Sequence, residues 1–269
     1  MNWSKIRAVA GKDLREVLSM KMVVLPMAMV PLVLCIIIPG VLTYLAFTQE
    51  VLMINGAEMI EEIIPHYPVP EALETTAIQI IFIFLNYTFL PLFMVIPVMI
   101  SSIITANSVV GEKERKTLET LLYTPITNRE FMTAKLFGSF LPGYILTLAG
   151  FICCVPAVNG ISLYFDGIML MQSPVWIPAI LLLAPALSLL GHSVTLMVSV
   201  KAKTYMEAQQ MSAFIVVPLV LLIVLQVTGL VVFHPLSILI AAIAVVVLDF
   251  LLIFRLAPRF HREDIVTQL

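Results

Sequence analysis

The chain has 269 residues, 61% of them hydrophobic and 12% charged, with a mean hydropathy of +1.06 and a formal net charge of -2. Soluble domains are nearer half apolar and a quarter charged, so this composition excludes a soluble globular protein and places the chain in the membrane class. Nothing in the charge balance argues for nucleic acid.

All fifteen Lys and Arg residues fall in four clusters separated by long apolar stretches. These are Lys5, Arg7, Lys12, Arg15 and Lys21, then Lys113, Arg115, Lys116, Arg129 and Lys135, then Lys201 and Lys203, and finally Arg255, Arg259 and Arg262. The alternate loops carry Glu50, Glu58, Glu61, Glu62, Glu71, Glu74 and Asp166 and no basic residue. Loops rich in Lys and Arg stay in the cytoplasm, so the pattern predicts an even number of crossings with both termini inside. The basic inner face suits a bilayer of anionic lipid.

In chain order, the first predicted element is an amphipathic helix over residues 1–21. Trp3, Ile6, Ala10, Leu14, Val17 and Leu18 follow helical spacing on one face, with Lys5, Lys12 and Glu16 opposite and Arg7 intruding on the apolar side. Such a helix lies in the inner membrane interface. Its mixed charge, and the length of the apolar run after it, argue against a cleavable signal.

A crossing needs about 20 apolar residues. Six stretches qualify: 22–47, 77–104, 131–157, 175–200, 209–232 and 236–255. Pro26, Pro31, Pro39, Pro91, Pro97, Pro178 and Pro185 lie inside them and are expected to kink or break their helices. Cys35, Cys153 and Cys154 read as small apolar residues with neither disulfide nor zinc-ligand spacing. The outer loop, 49–76, carries Glu58, Glu62 and His66 four residues apart, but Pro65 ends any helix before His66. It reads as a solvated acidic cap, and no metal site is expected.

The inner region 107–130 has internal architecture. Glu112 and Glu114 are placed where the dipole of a starting helix favours acids. Leu118, Leu121 and Leu122 then form an i, i+3, i+4 apolar patch, and Pro125 stops the helix. Thr127 to Glu130 reads as a capping box that starts the next helix into span three. A short helix with an exposed leucine ridge marks a protein contact. Within the spans, Asp249, His192 and Asn86 are candidates for an intramembrane polar path, or for hydrogen bonds between helices. Gln79 and Gln226 have the same two readings. Residues 256–269 form a cytoplasmic tail.

On these residues the chain resembles the membrane subunits of type-two ATP-binding-cassette transporters, nearest to the sodium-export and drug- or lipid-export branches. Their pattern is an acidic-basic start, a T-L-E-x-L-L-x-T-P core and a Lys at the head of span three. The matching residues are Glu112, Glu114, Arg115, Thr117, Leu118, Glu119, Leu121, Leu122, Thr124, Pro125, Glu130 and Lys135. Lys116 stands where many members have Gly, and the connection at His234 and Pro235 is short where many carry outer helices. The resemblance implies that the short helix couples to a separate cytoplasmic ATPase subunit, which holds ATP and Mg. Two permease copies would then form the translocation path between them. Glu207, in a loop resembling that of the sodium-export branch, is a second candidate contact.

No G-x-x-x-x-G-K-[ST] phosphate loop occurs, so this chain is not expected to bind ATP or to act as an enzyme by itself. A self-contained secondary transporter or channel accounts for the spans and Asp249 but not for the leucine-bearing inner helix. An intramembrane protease lacks its residues, since Glu61-Glu62 has no Arg at the needed spacing and lies outside the membrane. The expected fold is an all-α polytopic membrane protein, a single transmembrane domain over 1–269, working as an exporter's permease.

Overall fold

In the computed structural model, residues 2–48, 64–115 and 127–256 are described. These residues contain helices and turns and no strand. Among the described residues, six helices are long and apolar enough to cross a membrane: Val23–Phe47, Thr76–Glu114, Arg129–Asp166, Trp176–Ser199, Tyr205–Val227 and Pro235–Ile253. They are called spans one to six. Each contains most of the predicted stretch. Spans two and three are much longer than expected, at 39 and 38 residues, or almost 60 Å against a hydrocarbon core of about 30 Å. Span two runs on past residue 104 to Glu114, and span three past 157 to Asp166. The surplus of span two, 105–114, lies in largely polar sequence and that of span three, 158–166, in mixed sequence, and helix geometry tolerates both.

The spans are not equivalent. In span two 83% of the apolar window is buried within the chain, and in span four 67%, against at most 22% in the others. Spans two and four therefore form the centre of the bundle, and the rest present apolar faces outward. Phe89 and Phe93 of span two, Phe151 of span three and Trp176 of span four make a continuous aromatic cluster, with centroids 5.3–6.1 Å apart. Small residues let the backbones approach closely. A Cβ on Gly191 would lie 2.7 Å from the Val98 carbonyl oxygen, so only glycine fits where span four crosses span two.

Proline shapes the helices in a specific way. Its ring lacks a donor and collides with the carbonyl four residues earlier. For Pro39, Pro91 and Pro185 that earlier residue is Cys35, Tyr87 and Leu181, and each lies inside a π-helical turn: Val33–Ile37, Phe84–Thr88 and Ala179–Leu183. The widened turn makes room for the ring, so these prolines swell the helix rather than break it. Span three passes through Pro142 and Pro156 as one helix.

Helix α1, Trp3–Ser19, packs against the start of span three. Asn2 caps it, its side-chain oxygen accepting from the Ser4 amide. The face packed on the chain is Ile6, Val9, Asp13 and Val17, which shares Ile6 and Val17 with the predicted apolar stripe. Trp3 and Leu18 are exposed, at 61% and 54%. The helix is turned so that Asp13 points inward, for a reason that lies in span three.

Candidate functional site

The end of the bundle that carries the basic clusters is held by interleaved ions. Lys135, about two turns into span three and 2% exposed, is at its centre. Its Nζ lies 2.9 Å from Asp13 Oδ2 of α1 and 2.9 Å from Glu112 Oε2 at the end of span two. It also donates to the Ser108 carbonyl at 2.7 Å. The Asp13 contact is ionic and not aligned as a hydrogen bond, whereas Glu112 accepts one. Asp13 and Glu112 are 2% and 0% exposed. Burial pushes the Asp13 carboxyl above its ordinary range, with Glu112 adding to the shift and Lys135 opposing it.

Around this core Lys12 donates to Glu112 at 2.5 Å and lies 3.5 Å from Glu16. Desolvation pulls the Lys12 pKa down, but the hydrogen bond and charge of Glu112 outweigh it, and the net shift is upward. Arg115 pairs with Glu16 and donates to the Asn107 side chain at 3.0 Å. The guanidinium lies over Gly111, where a Cβ would sit 2.9 Å from it. Asn107 to Gly111 is itself a π-helical turn, the one among the described residues that no proline explains. Such turns recur at functional sites. The carboxylates of Asp13, Glu16 and Glu112 lie within 4.8 Å of one another, but Lys12, Lys135 and Arg115 already engage them.

Thr127 and Glu130 form the predicted capping box at the start of helix Asn128–Asp166. The Glu130 carboxylate does more than that. One oxygen accepts from the Thr127 amide at 3.1 Å, and the other accepts from the Asn2 amide of α1 at 2.7 Å.

The structure corrects one expectation here. Glu112 and Glu114 do not open a new helix; they close the helix of span two, with Arg115 as its cap. At that end the dipole disfavours acids, and Glu112 is held by Lys12 and Lys135 instead. It is buried, while Glu114 and Arg115 remain exposed. Thr117, Leu118, Glu119, Leu121 and Leu122 lie outside the described residues, as do Glu58 and Glu62. Glu207 is exposed near the start of helix Tyr205–Ser212, its amide bonded to Thr204 and its carboxylate accepting from the Lys203 amide.

The polar span residues sort clearly. His192 is fully enclosed, its Nδ1 2.9 Å from Thr105 Oγ1 and 2.6 Å from Ser139 Oγ, and so joins spans two, three and four. Asn86 is saturated at the opposite end. It donates to the carbonyls of Phe82 and Leu170 at 2.9 and 2.8 Å and accepts from the Ser173 amide at 3.1 Å. Asn159 takes the amides of Leu170 and Met171, at 3.1 and 2.9 Å. Asp249 is different: it is 0% exposed, and neither carboxylate oxygen has a hydrogen-bond partner among the described residues. The Gln226 side chain is likewise buried and unpartnered, while its carbonyl accepts from the Tyr67 hydroxyl.

Asp13 and Asn159 escaped the reading of the sequence. The signal for Asp13 was present, since it keeps helical register with Ile6, Val9 and Val17. Asn159 carried no local signal, because its partners sit on a loop 11–12 residues away whose path only the fold defines.

Neither the curated proteins nor the solved structures gave a match to this chain. A family model does match, that of the ABC-2 family transporter protein, over residues 7–254. That range takes in most of α1, all six spans and the ion network around Lys135, and the chain therefore belongs to the ABC-2 transporter family as a multi-pass membrane permease.

Proposed function

We propose that the chain is the permease subunit of an ATP-driven exporter, working as a pair of copies on two separate ATPase subunits. The partner carries ATP and Mg; this chain carries the path. The basic end faces the cytoplasm, where α1 lies in the interface with Trp3 and Leu18 set into lipid. The segment 116–126, with Leu118, Leu121 and Leu122, docks on the ATPase, assisted by Glu114, Arg115 and Glu207.

The observation that carries this reading is the family match, joined to the way residues on both sides of 116–126 are anchored. Arg115 before it and Thr127 and Glu130 after it are all tied into α1 or span three. A segment so framed transmits displacement, where a slack connector absorbs it. The outward apolar faces of spans one, three, five and six leave room for a second copy as well as lipid. Of the three path candidates, His192 and Asn86 are engaged between helices, whereas Asp249 is enclosed with no hydrogen-bond partner among the described residues.

The test is co-expression with a candidate ATP-binding ATPase subunit. The double substitution Leu118→Asp and Leu122→Asp should abolish co-purification of the ATPase while the permease still folds. Retention of the ATPase by that variant would overturn the docking assignment.

A further inference from the structure

We propose that Lys135 is a positioning residue that locks α1 to both edges of the docking segment, so that α1, residues 112–115 and residues 127–135 move as one rigid body. This deepens the functional reading above and rests on it. Docking would then drive not a loop alone but a helix lying along the membrane surface.

Three observations support it. First, Lys135 is the shared cation of two carboxylates from different elements, Asp13 of α1 and Glu112 of span two, at 2.9 Å each. It is also bonded to the Ser108 carbonyl of span two. All three charged groups are almost wholly buried. A buried ion that loses its partner is strongly penalised, so the elements resist separating one at a time. Second, α1 is tied to the chain on each side of the segment. Before it, Lys12 bonds Glu112 and Glu16 pairs with Arg115. After it, Glu130 joins the Asn2 amide to the Thr127 amide through one carboxylate. Third, the seam continues into the bundle without a gap. Ser139, one turn beyond Lys135, meets His192 of span four, which also meets Thr105 of span two. A push on α1 therefore reaches the two buried spans through hydrogen-bonded contacts.

The test uses the full permease–ATPase complex in lipid nanodiscs, with Cys35, Cys153 and Cys154 replaced by Ala. A spin label is placed at the exposed Ala8→Cys of α1 or, separately, at the exposed Arg129→Cys of span three. The distance between the two copies is read with and without ATP, Mg and vanadate. The expected result is a nucleotide-dependent shift of the same sign at both positions. In Lys135→Met the shift at position 129 persists and that at position 8 is lost. Lys135→Arg restores both, because a guanidinium has enough donors for two carboxylates. Should Lys135→Met fail to fold, the combination Lys12→Met, Asp13→Asn, Glu16→Gln and Glu130→Gln keeps the Lys135–Glu112 bond while cutting the charged ties to α1, and gives the same loss at position 8. Independent movement of the two labels in the otherwise unsubstituted complex overturns the proposal, as does a Lys135→Met complex that moves both. Absence of the ATPase, or of an inter-copy distance, from the otherwise unsubstituted complex instead overturns the functional reading beneath it.

Discussion

The two ends of the bundle are fastened by different chemistry. At the basic end, ions from three elements interlock around a central group, Lys135, shared by two buried carboxylates. At the opposite end two neutral amides, Asn86 and Asn159, hold the loop around residues 170–173 by its backbone. The difference concerns what happens when a tie fails. A lost amide leaves a few backbone groups unsatisfied and a local flap. A lost Lys135 leaves two buried carboxylates facing each other, a penalty that spreads to every element in the cluster. The charged end therefore behaves as one block, and the amide end as a pinned loop.

The largest effect should come from Lys135→Met. It removes the cation and keeps Asp13 and Glu112 buried, so the loss should be about 3–5 kcal/mol, the range for breaking a buried pair. Thermal unfolding in detergent measures it. Adding Asp13→Asn to the same chain should recover part of the loss, since one uncompensated charge disappears. A simple sum of the two single effects would mean that Lys135 and Asp13 are not coupled, and that the block is looser than its geometry.

Asn86→Leu should act more weakly and more locally. The Leu170 carbonyl and the Ser173 amide lose their partner, at about 1–3 kcal/mol for each buried group left unpaired. Hydrogen exchange should rise at residues 168–175 and stay unchanged in α1. Faster exchange in α1 as well would erase the contrast between the two ends.

How far this contrast could be read from the sequence differs between its two halves. The spans were legible because a run of about 20 apolar residues has few other fates, and the Thr127–Glu130 box because its partners are three residues apart. The same locality exposed the prolines, although that they would swell their helices into π turns depends on neighbours. The ion block was not legible as a block. Lys135 and Asp13 are more than a hundred residues apart, and the apolar spacing of α1 marks Arg7, not Asp13, as the charge on its apolar side. The true inward charge was acidic, because the partner waiting in span three is a lysine. Similarly, periodicity marks Asp249 as a charge in an apolar helix but cannot say that its oxygens stay unpartnered.

The finest test of the block is the pH response of Asp13. Its carboxyl is raised, first by burial, against the pull of Lys135 from span three; Glu112 from span two adds to the shift, and Lys12 on its own helix opposes it. A raised carboxyl binds its proton more tightly folded than unfolded. Acidification toward the folded pKa therefore adds stability, and that gain is lost again as pH rises through it. Asp13→Asn removes this titration and leaves Lys135 its bond to Glu112 and to the Ser108 carbonyl. At neutral pH the variant should lie within about 1 kcal/mol of the parent, the scale of one net hydrogen bond. The comparison is the difference between the two melting curves from pH 7 down to pH 4, in which carboxylates common to both largely cancel. The parent should gain on the variant as pH falls. If the parent instead loses ground, Asp13 is stabilised as a carboxylate by Lys135 more than burial opposes it, and the block is held by attraction rather than merely tolerated for its rigidity.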